Sequence, residues 1–92
     1  MTVTALPAAT WTELTAASVA NAAIDYDGGP MVYISWSATE PTDTTDAKMF
    51  NGPFKIGADY DIADLFPSKT GPLKLWGYSP LVATSIEVTY AA

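Results

Sequence analysis

The chain has 92 residues, of which 49% are hydrophobic and 15% charged, and ten acids against four lysines give a net charge of −6. This length predicts one domain, and the low charged fraction is typical of a folded chain rather than a disordered one. The acidic balance disfavours nucleic acid as a partner, because phosphate binding requires clustered basic side chains, and no nucleic-acid partner is expected. The lack of cysteine and histidine excludes disulfides, thiolate metal sites and the Ser-His-Asp and Cys-His classes of enzyme.

The N-terminal segment has neither the basic region nor the apolar stretch of a signal peptide. No window approaches the ~18 apolar residues of a transmembrane helix, so we expect a protein made in the cytoplasm with no membrane partner. Residues 1–9 carry Val3 and Ala5 in alternation before Pro7. This pattern predicts an N-terminal arm that pairs along a sheet edge, either its own or that of a neighbour.

Short runs of β-branched and aromatic residues then alternate with turn signals. In residues 10–15 the alternation places Trp11 and Glu13 on one face and Leu14 on the other. The run "SVANAAIDY", residues 18–26, suits a strand about as well as a helix. It is followed by "DGGP", in which Gly28 and Gly29 predict a turn with positive φ angles.

The run "MVYISWS", residues 31–37, gives the clearest strand prediction. Val32, Ile34 and Trp36 fall on one apolar face, and Tyr33 with two serines falls on the other. The polar stretch that follows, residues 38–47, predicts an exposed loop. Asn51-Gly52 then predicts a β-hairpin, since this dipeptide is the strongest short hairpin signal.

In residues 59–72, Ile62, Leu65 and Phe66 have the spacing of one helical turn, which Pro67 would end. Two final strands follow. The first is "LKLW", residues 73–76, and a turn at 77–80 follows it. The second is "TSIEVTY", residues 84–90, in which the side chains of Ile86, Val88 and Tyr90 face inward. The chain therefore predicts an all-β fold, namely a single small antiparallel β-sandwich or barrel of about six to eight short strands over residues 1–92.

Carboxylates are the remaining candidates for site chemistry. Asp59, Asp61 and Asp64 are weak candidates for a calcium site, because a calcium ion needs six to eight oxygen ligands and the spacing matches no complete EF-hand loop. A solvated acidic turn is the favoured interpretation, and an acid-pair hydrolase ranks last because a small domain has little room for a cleft. No cofactor and no catalytic residue are predicted.

Aromatic side chains are the better candidates for a binding surface. Trp36 lies on an apolar strand face and is assigned to the core. A partner interface is predicted to include Trp11 and three tyrosines, since tyrosine is enriched at interfaces, together with the apolar residue of the N-terminal arm. The predicted interface residues are Val3, Trp11, Tyr26, Tyr33 and Tyr78.

The order of short motifs along the chain resembles small virion proteins of tailed bacteriophages, which serve as head decoration or head-fibre proteins. The motifs are "WTELT", "SVAN", "VYISWSATEPT", "GPFKIG", "LKLWGYSP" and a closing "SIEVTY". The positions that carry the resemblance are Trp11, Thr12, Leu14, Val19, Asn21, Val32, Ile34, Pro41, Phe54, Ile56, Leu75, Trp76 and Ser79.

The resemblance implies a β-sandwich without catalytic activity that coats the capsid surface of a virion and binds the major capsid protein or another virion protein, often as a trimer. A homo-oligomer made in the host cytoplasm is therefore expected. One alternative is a module that attaches a head fibre or a tail. A carbohydrate-binding β-sandwich, using Trp11 and the tyrosines on an exposed face, is the alternative from a different functional class.

Overall fold

Eight strands form two four-stranded antiparallel sheets in the computed structural model, which describes residues 2–45, 47–57 and 60–90. The first sheet has the strand order β1-β8-β3-β6, and the second has the order β2-β7-β4-β5. The prediction of an all-β fold, a small antiparallel β-sandwich, is confirmed. The strands are β1 (Thr2–Leu6), β2 (Thr12–Glu13), β3 (Ala23–Tyr26), β4 (Val32–Ser37), β5 (Lys48–Phe50), β6 (Phe54–Ile56), β7 (Lys74–Tyr78) and β8 (Thr84–Thr89).

Consecutive strands alternate between the two sheets almost throughout. Among the described strands, β4 and β5 are the one consecutive pair that lies within a single sheet. Every other connection crosses from one sheet to the other. Neighbours within each sheet are therefore mostly distant in sequence, as in the pairing of β1 with β8.

The core lies between the sheets and follows the predicted alternation of β4. Val32, Ile34 and Trp36 are all buried, as predicted, and the Trp36 indole N–H donates to the Val19 carbonyl at 3.0 Å. Burial of each such side chain stabilises the fold by about 1.5–3 kcal/mol. The first sheet contributes its own alternating residues, which include Ile24, Ile86 and Val88.

The Asn51-Gly52 turn does not form the predicted hairpin. β5 pairs with β4 of the second sheet and β6 pairs with β3 of the first, so this turn carries the chain between sheets. Pro53 explains the difference, because a two-residue hairpin needs an N–H at that position to bond the carbonyl before the turn, and proline has none. Instead Phe50 and Phe54 stack across the corner, with ring centroids 3.9 Å apart.

The N-terminal segment is an edge strand of this molecule rather than a detached arm. β1 pairs with β8 in a register that sets Thr4 opposite Ile86, so of the two predicted pairings the structure shows the one with its own sheet. Leu6 is completely buried and joins the core. Beyond the strand, the Ala9 N–H donates to the Ser79 carbonyl at 2.7 Å. This bond links the segment after β1 to the residue that follows β7.

A single 3-10 turn over Ile62–Asp64 confirms the predicted helical turn, and Pro67 lies just beyond it. Ile62 is buried, and Phe66 packs against Trp36 with ring centroids 6.3 Å apart. β7 continues through Tyr78, so the turn predicted at 77–80 begins later than expected. Among the described residues, no helix has the length and apolar character needed to cross a bilayer.

Candidate functional site

The outer face of the second sheet carries a row of large side chains. The register pairs Tyr33 of β4 with Tyr78 of β7 on one side and with Met49 of β5 on the other. Trp11 immediately precedes β2, and its ring lies 4.9 Å from that of Tyr78 at an interplanar angle of 31°. We call these four residues the aromatic row. It crosses the whole width of the sheet, although its members are far apart in sequence.

The rings of the aromatic row contact one another without being coplanar. The centroids of Tyr33 and Tyr78 are 6.3 Å apart with the planes tilted by 53°. Met49 is 51% exposed, and the three aromatic residues are half-buried. Such a surface combines large apolar area with few rotatable bonds, which is the composition that interface cores favour.

A second row lies beside the aromatic row on the same face. Trp76 is set between Glu13 and Ser35 by the register, yet it is only 8% exposed. Its indole N–H donates to the Ser37 carbonyl at 3.0 Å, which fixes the ring against the sheet. The Lys74 ammonium lies 3.2 Å from the carboxylate of Glu13, which is the cross-strand neighbour of Trp76 on β2. This row adds the buried Trp76 ring to the face, with Ser35 on one side and the Glu13–Lys74 ion pair on the other.

A polar hollow of about 310 Å³ opens on the same face, between the exposed loop that joins β4 to β5 and the two serines of β4. Ser35 and Ser37 supply its floor, and residues of the loop together with Lys69 supply its walls. The hollow therefore presents hydroxyl, carboxylate and ammonium groups beside the aromatic row. Its lining residues are Ser35, Ser37, Thr39, Glu40, Pro41, Thr42, Asp43 and Lys69.

The outer face of the first sheet differs in composition. Its corresponding row runs from Val3 of β1 through Glu87 of β8 and Asp25 of β3 to Lys55 of β6. The Lys55 ammonium lies 3.6 Å from the Asp25 carboxylate, and most of the lysine side chain is exposed. Charged groups on this face are solvated, so it offers less apolar contact area than the face that carries the aromatic row.

The predicted interface residues separate into three groups. Trp11, Tyr33 and Tyr78 come together in the aromatic row. Val3 is 61% exposed but lies on the first sheet. The assignment of Tyr26 to an exposed interface is wrong, because this side chain is 2% exposed and its hydroxyl donates to the Pro30 carbonyl. Its alternation with Ile24 was the signal for burial, since both side chains point to the same face.

Met49 is the member of the aromatic row that the sequence did not predict. The short run of β5 alternates Lys48, Met49 and Phe50, and its local pattern does not reveal which neighbour it pairs with. The cross-strand register supplies that information, and it depends on a connection of ten residues from β4.

The candidate metal ligands are placed only in part. The Asp61 carboxylate accepts a hydrogen bond from the Ala63 N–H at 3.1 Å and so caps the 3-10 turn, while Asp64 lies in that turn. Asp59 lies outside the described residues. Over residues 2–45, 47–57 and 60–90, no group of three acidic side chains is arranged to hold a metal ion. Capping is therefore the role that the geometry assigns to Asp61.

No family model matches this chain, and no curated protein or solved structure matches it significantly.

Proposed function

We propose that this chain is a structural protein of a bacteriophage virion that decorates the capsid surface and binds the major capsid protein through the aromatic row. The observation that carries the docking role is the contrast between the two outer faces. One face presents Trp11, Tyr78, Tyr33 and Met49 in a continuous row, and the other presents solvated charges. Aromatic residues and methionine are enriched in interface cores, whereas acids and lysine are depleted there.

The virion context of this proposal comes from the resemblance of the motif order to phage head proteins. The residue inventory agrees with a role without catalysis, because the sequence contains no histidine and no cysteine. A net charge of −6 also suits a protein that must stay soluble and monodisperse before it reaches the capsid.

Co-sedimentation with purified capsids of the virus that encodes the chain tests the proposal. Trp11→Ala and Tyr33→Ala are expected to weaken binding about 30-fold or more, because aromatic anchors at the centre of an interface contribute about 2 kcal/mol or more. Glu87→Ala and Lys55→Ala on the opposite face are matched controls, for which we expect less than a threefold change. Equal losses from the two faces would contradict docking through the aromatic row, and absence of the chain from mature virions would contradict the virion role.

A module that attaches a head fibre or a tail would use the same aromatic row, and the position of the chain in the virion separates the two roles. A decoration protein covers the capsid lattice repeatedly. An attachment module is confined to the base of a fibre or to the tail. Electron microscopy of virions labelled through a tag on the chain distinguishes these distributions directly.

Carbohydrate binding is the second candidate function, and the polar hollow beside the aromatic row is the observation that favours it. Sugars stack on aromatic rings and exchange hydrogen bonds with carboxylates such as Glu40 and Asp43, both of which line the hollow. The tilt of 31° between the Trp11 and Tyr78 rings gives a less flat platform than sugar stacking prefers. This tilt is why capsid docking is the leading proposal.

Titration of tryptophan fluorescence with a glycan panel tests the second candidate. Trp11 is the reporter, because Trp36 and Trp76 are buried. Saturable quenching that Asp43→Asn weakens would support a sugar site, whereas an unchanged spectrum across the panel would remove this candidate.

A further inference from the structure

The four edge strands of the sandwich differ in how well they are protected against pairing with another chain. β5 carries exposed Lys48 and β6 carries exposed Lys55. β2 has two residues, one of which is Glu13. Lysine and very short length are the usual means by which proteins keep sheet edges from pairing with other molecules. Three of the four edges therefore carry such protection.

β1 is the edge that lacks this protection. Its five residues, "TVTAL", include no charge and no proline. Among the described residues, β8 is the one strand that pairs with β1, so the other side of β1 presents unpaired backbone groups. On the outer face of this strand, Val3 is 61% exposed and Ala5 is also exposed. An uncharged strand of this length with exposed backbone is a template for another extended strand.

We propose that β1 pairs in antiparallel register with β1 of a second copy of this chain, so that the first sheets of two molecules form one continuous sheet of eight strands. The inference goes beyond the proposed function, because it concerns the first sheet and leaves the aromatic row of both copies exposed.

The sequence of β1 fits a two-fold axis that passes through Thr4. This register sets Val3 opposite Ala5 of the partner subunit, so a larger side chain faces a smaller one at both ends of the contact. The match is the same in both directions, as a two-fold interface requires.

The distribution of charge at this edge permits a second copy as the occupant. Each molecule carries −6, so a self-interface forms only where acids do not face acids. The nearest charge on the outer face is Glu87, which lies beside Val3 in β8. Across the proposed junction the row continues from Val3 to Ala5 and Ser85 of the partner subunit, neither of which is charged. The two acidic molecules can therefore meet at this edge without direct repulsion.

Sedimentation equilibrium of the purified chain over a range of concentrations tests the proposal. We expect a dimer of twice 9.7 kDa. Val3→Lys places on β1 the residue type that protects β5 and β6, and we expect it to raise the dimer dissociation constant at least tenfold. Met49→Lys is the matched control, since Met49 is 51% exposed on an edge strand of the other sheet. It is expected to leave the dissociation constant unchanged.

Hydrogen exchange of the unmodified protein provides a second readout that needs no variant. The backbone amides of residues 2–6 are expected to gain protection as the protein concentration rises, and those of β5 are not. Ala5→Lys replaces Val3→Lys if circular dichroism shows the latter to be unfolded.

Three results would overturn the proposal. The first is a monomer up to about 1 mM, a concentration at which even weak specific association is populated. The second is a trimer. The third is a dimer that Val3→Lys and Met49→Lys weaken equally. Loss of dimerisation would leave capsid co-sedimentation through the aromatic row intact, so the failures of the two proposals are distinguishable.

Discussion

The outer faces of the two sheets each belong to four strands but differ in composition. On the second sheet, Tyr33 and Tyr78 occupy positions where the first sheet has Asp25 and Glu87, again as cross-strand neighbours in the middle strands. Both sheets already use their inner faces to build the shared core. Solubility would be served by two charged outer faces, so solubility does not account for the aromatic face, and this difference supports the proposal that the second sheet docks on the capsid.

The largest expected difference between the faces concerns their contribution to stability. Trp76→Ala is expected to lower the free energy of unfolding by about 3 kcal/mol, because the side chain is 8% exposed and its N–H bonds the Ser37 carbonyl. Glu87→Ala, at the middle of the opposite face, is expected to change it by less than about 0.5 kcal/mol. Urea denaturation followed by circular dichroism measures both. A loss below about 1 kcal/mol for Trp76→Ala would contradict the expectation that the aromatic face contributes substantially to the free energy of unfolding.

A smaller effect is expected from coupling within the aromatic row. Trp11 and Tyr78 have ring centroids 4.9 Å apart, and tilted aromatic pairs contribute about 1 kcal/mol beyond their burial. A double-mutant cycle with Trp11→Ala and Tyr78→Ala, read out by urea denaturation, is expected to give a coupling energy of that size. Strict additivity would show that the two rings are independent and that the row is not preorganised for a partner.

The smallest effects are expected from the ion pairs, one on each face. The Glu13 carboxylate and the Lys74 ammonium lie 3.2 Å apart beside Trp76, and we expect a coupling of about 0.5 kcal/mol that salt weakens. Asp25 and Lys55 are 3.6 Å apart, and the Lys55 side chain is 78% exposed against 31% for Lys74, so their coupling is expected to be near zero. Two alanine double-mutant cycles at low and high salt measure both pairs. The reverse ranking would show that the charged face is the better ordered one.

Local alternation was enough to predict the core-facing residues of β4 and β8, but it left β3 open between strand and helix. The apolar face of β4 and the inward residues Ile86 and Val88 of β8 lie where the pattern placed them, because period-2 alternation reports burial directly. The Asn51-Gly52 turn shows the limit of this reasoning. A turn signal specifies that the chain changes direction, and it does not specify whether the next strand joins the same sheet or the facing one.

The aromatic row could be predicted by residue type but not as an arrangement. Trp11 and Tyr78 are 67 positions apart, and their contact depends on the register between β2 and β7. No local pattern encodes a cross-strand register between distant segments, since it is set by how the whole sandwich packs. The same limit explains why Met49 was missed, and why Val3 was grouped with residues of the other sheet.

The position of the last two strands has a consequence for biosynthesis. β7 lies between β2 and β4, and β8 lies between β1 and β3, so each sheet contains a central strand that is synthesised after the other six described strands. Until then, β1 and β2 have no partner strand, and the nascent chain can form no more than the β3–β6 and β4–β5 pairs. The sandwich therefore closes only once β7 and β8 have been synthesised, and because this closure is dominated by contacts between distant segments, we expect it to be comparatively slow.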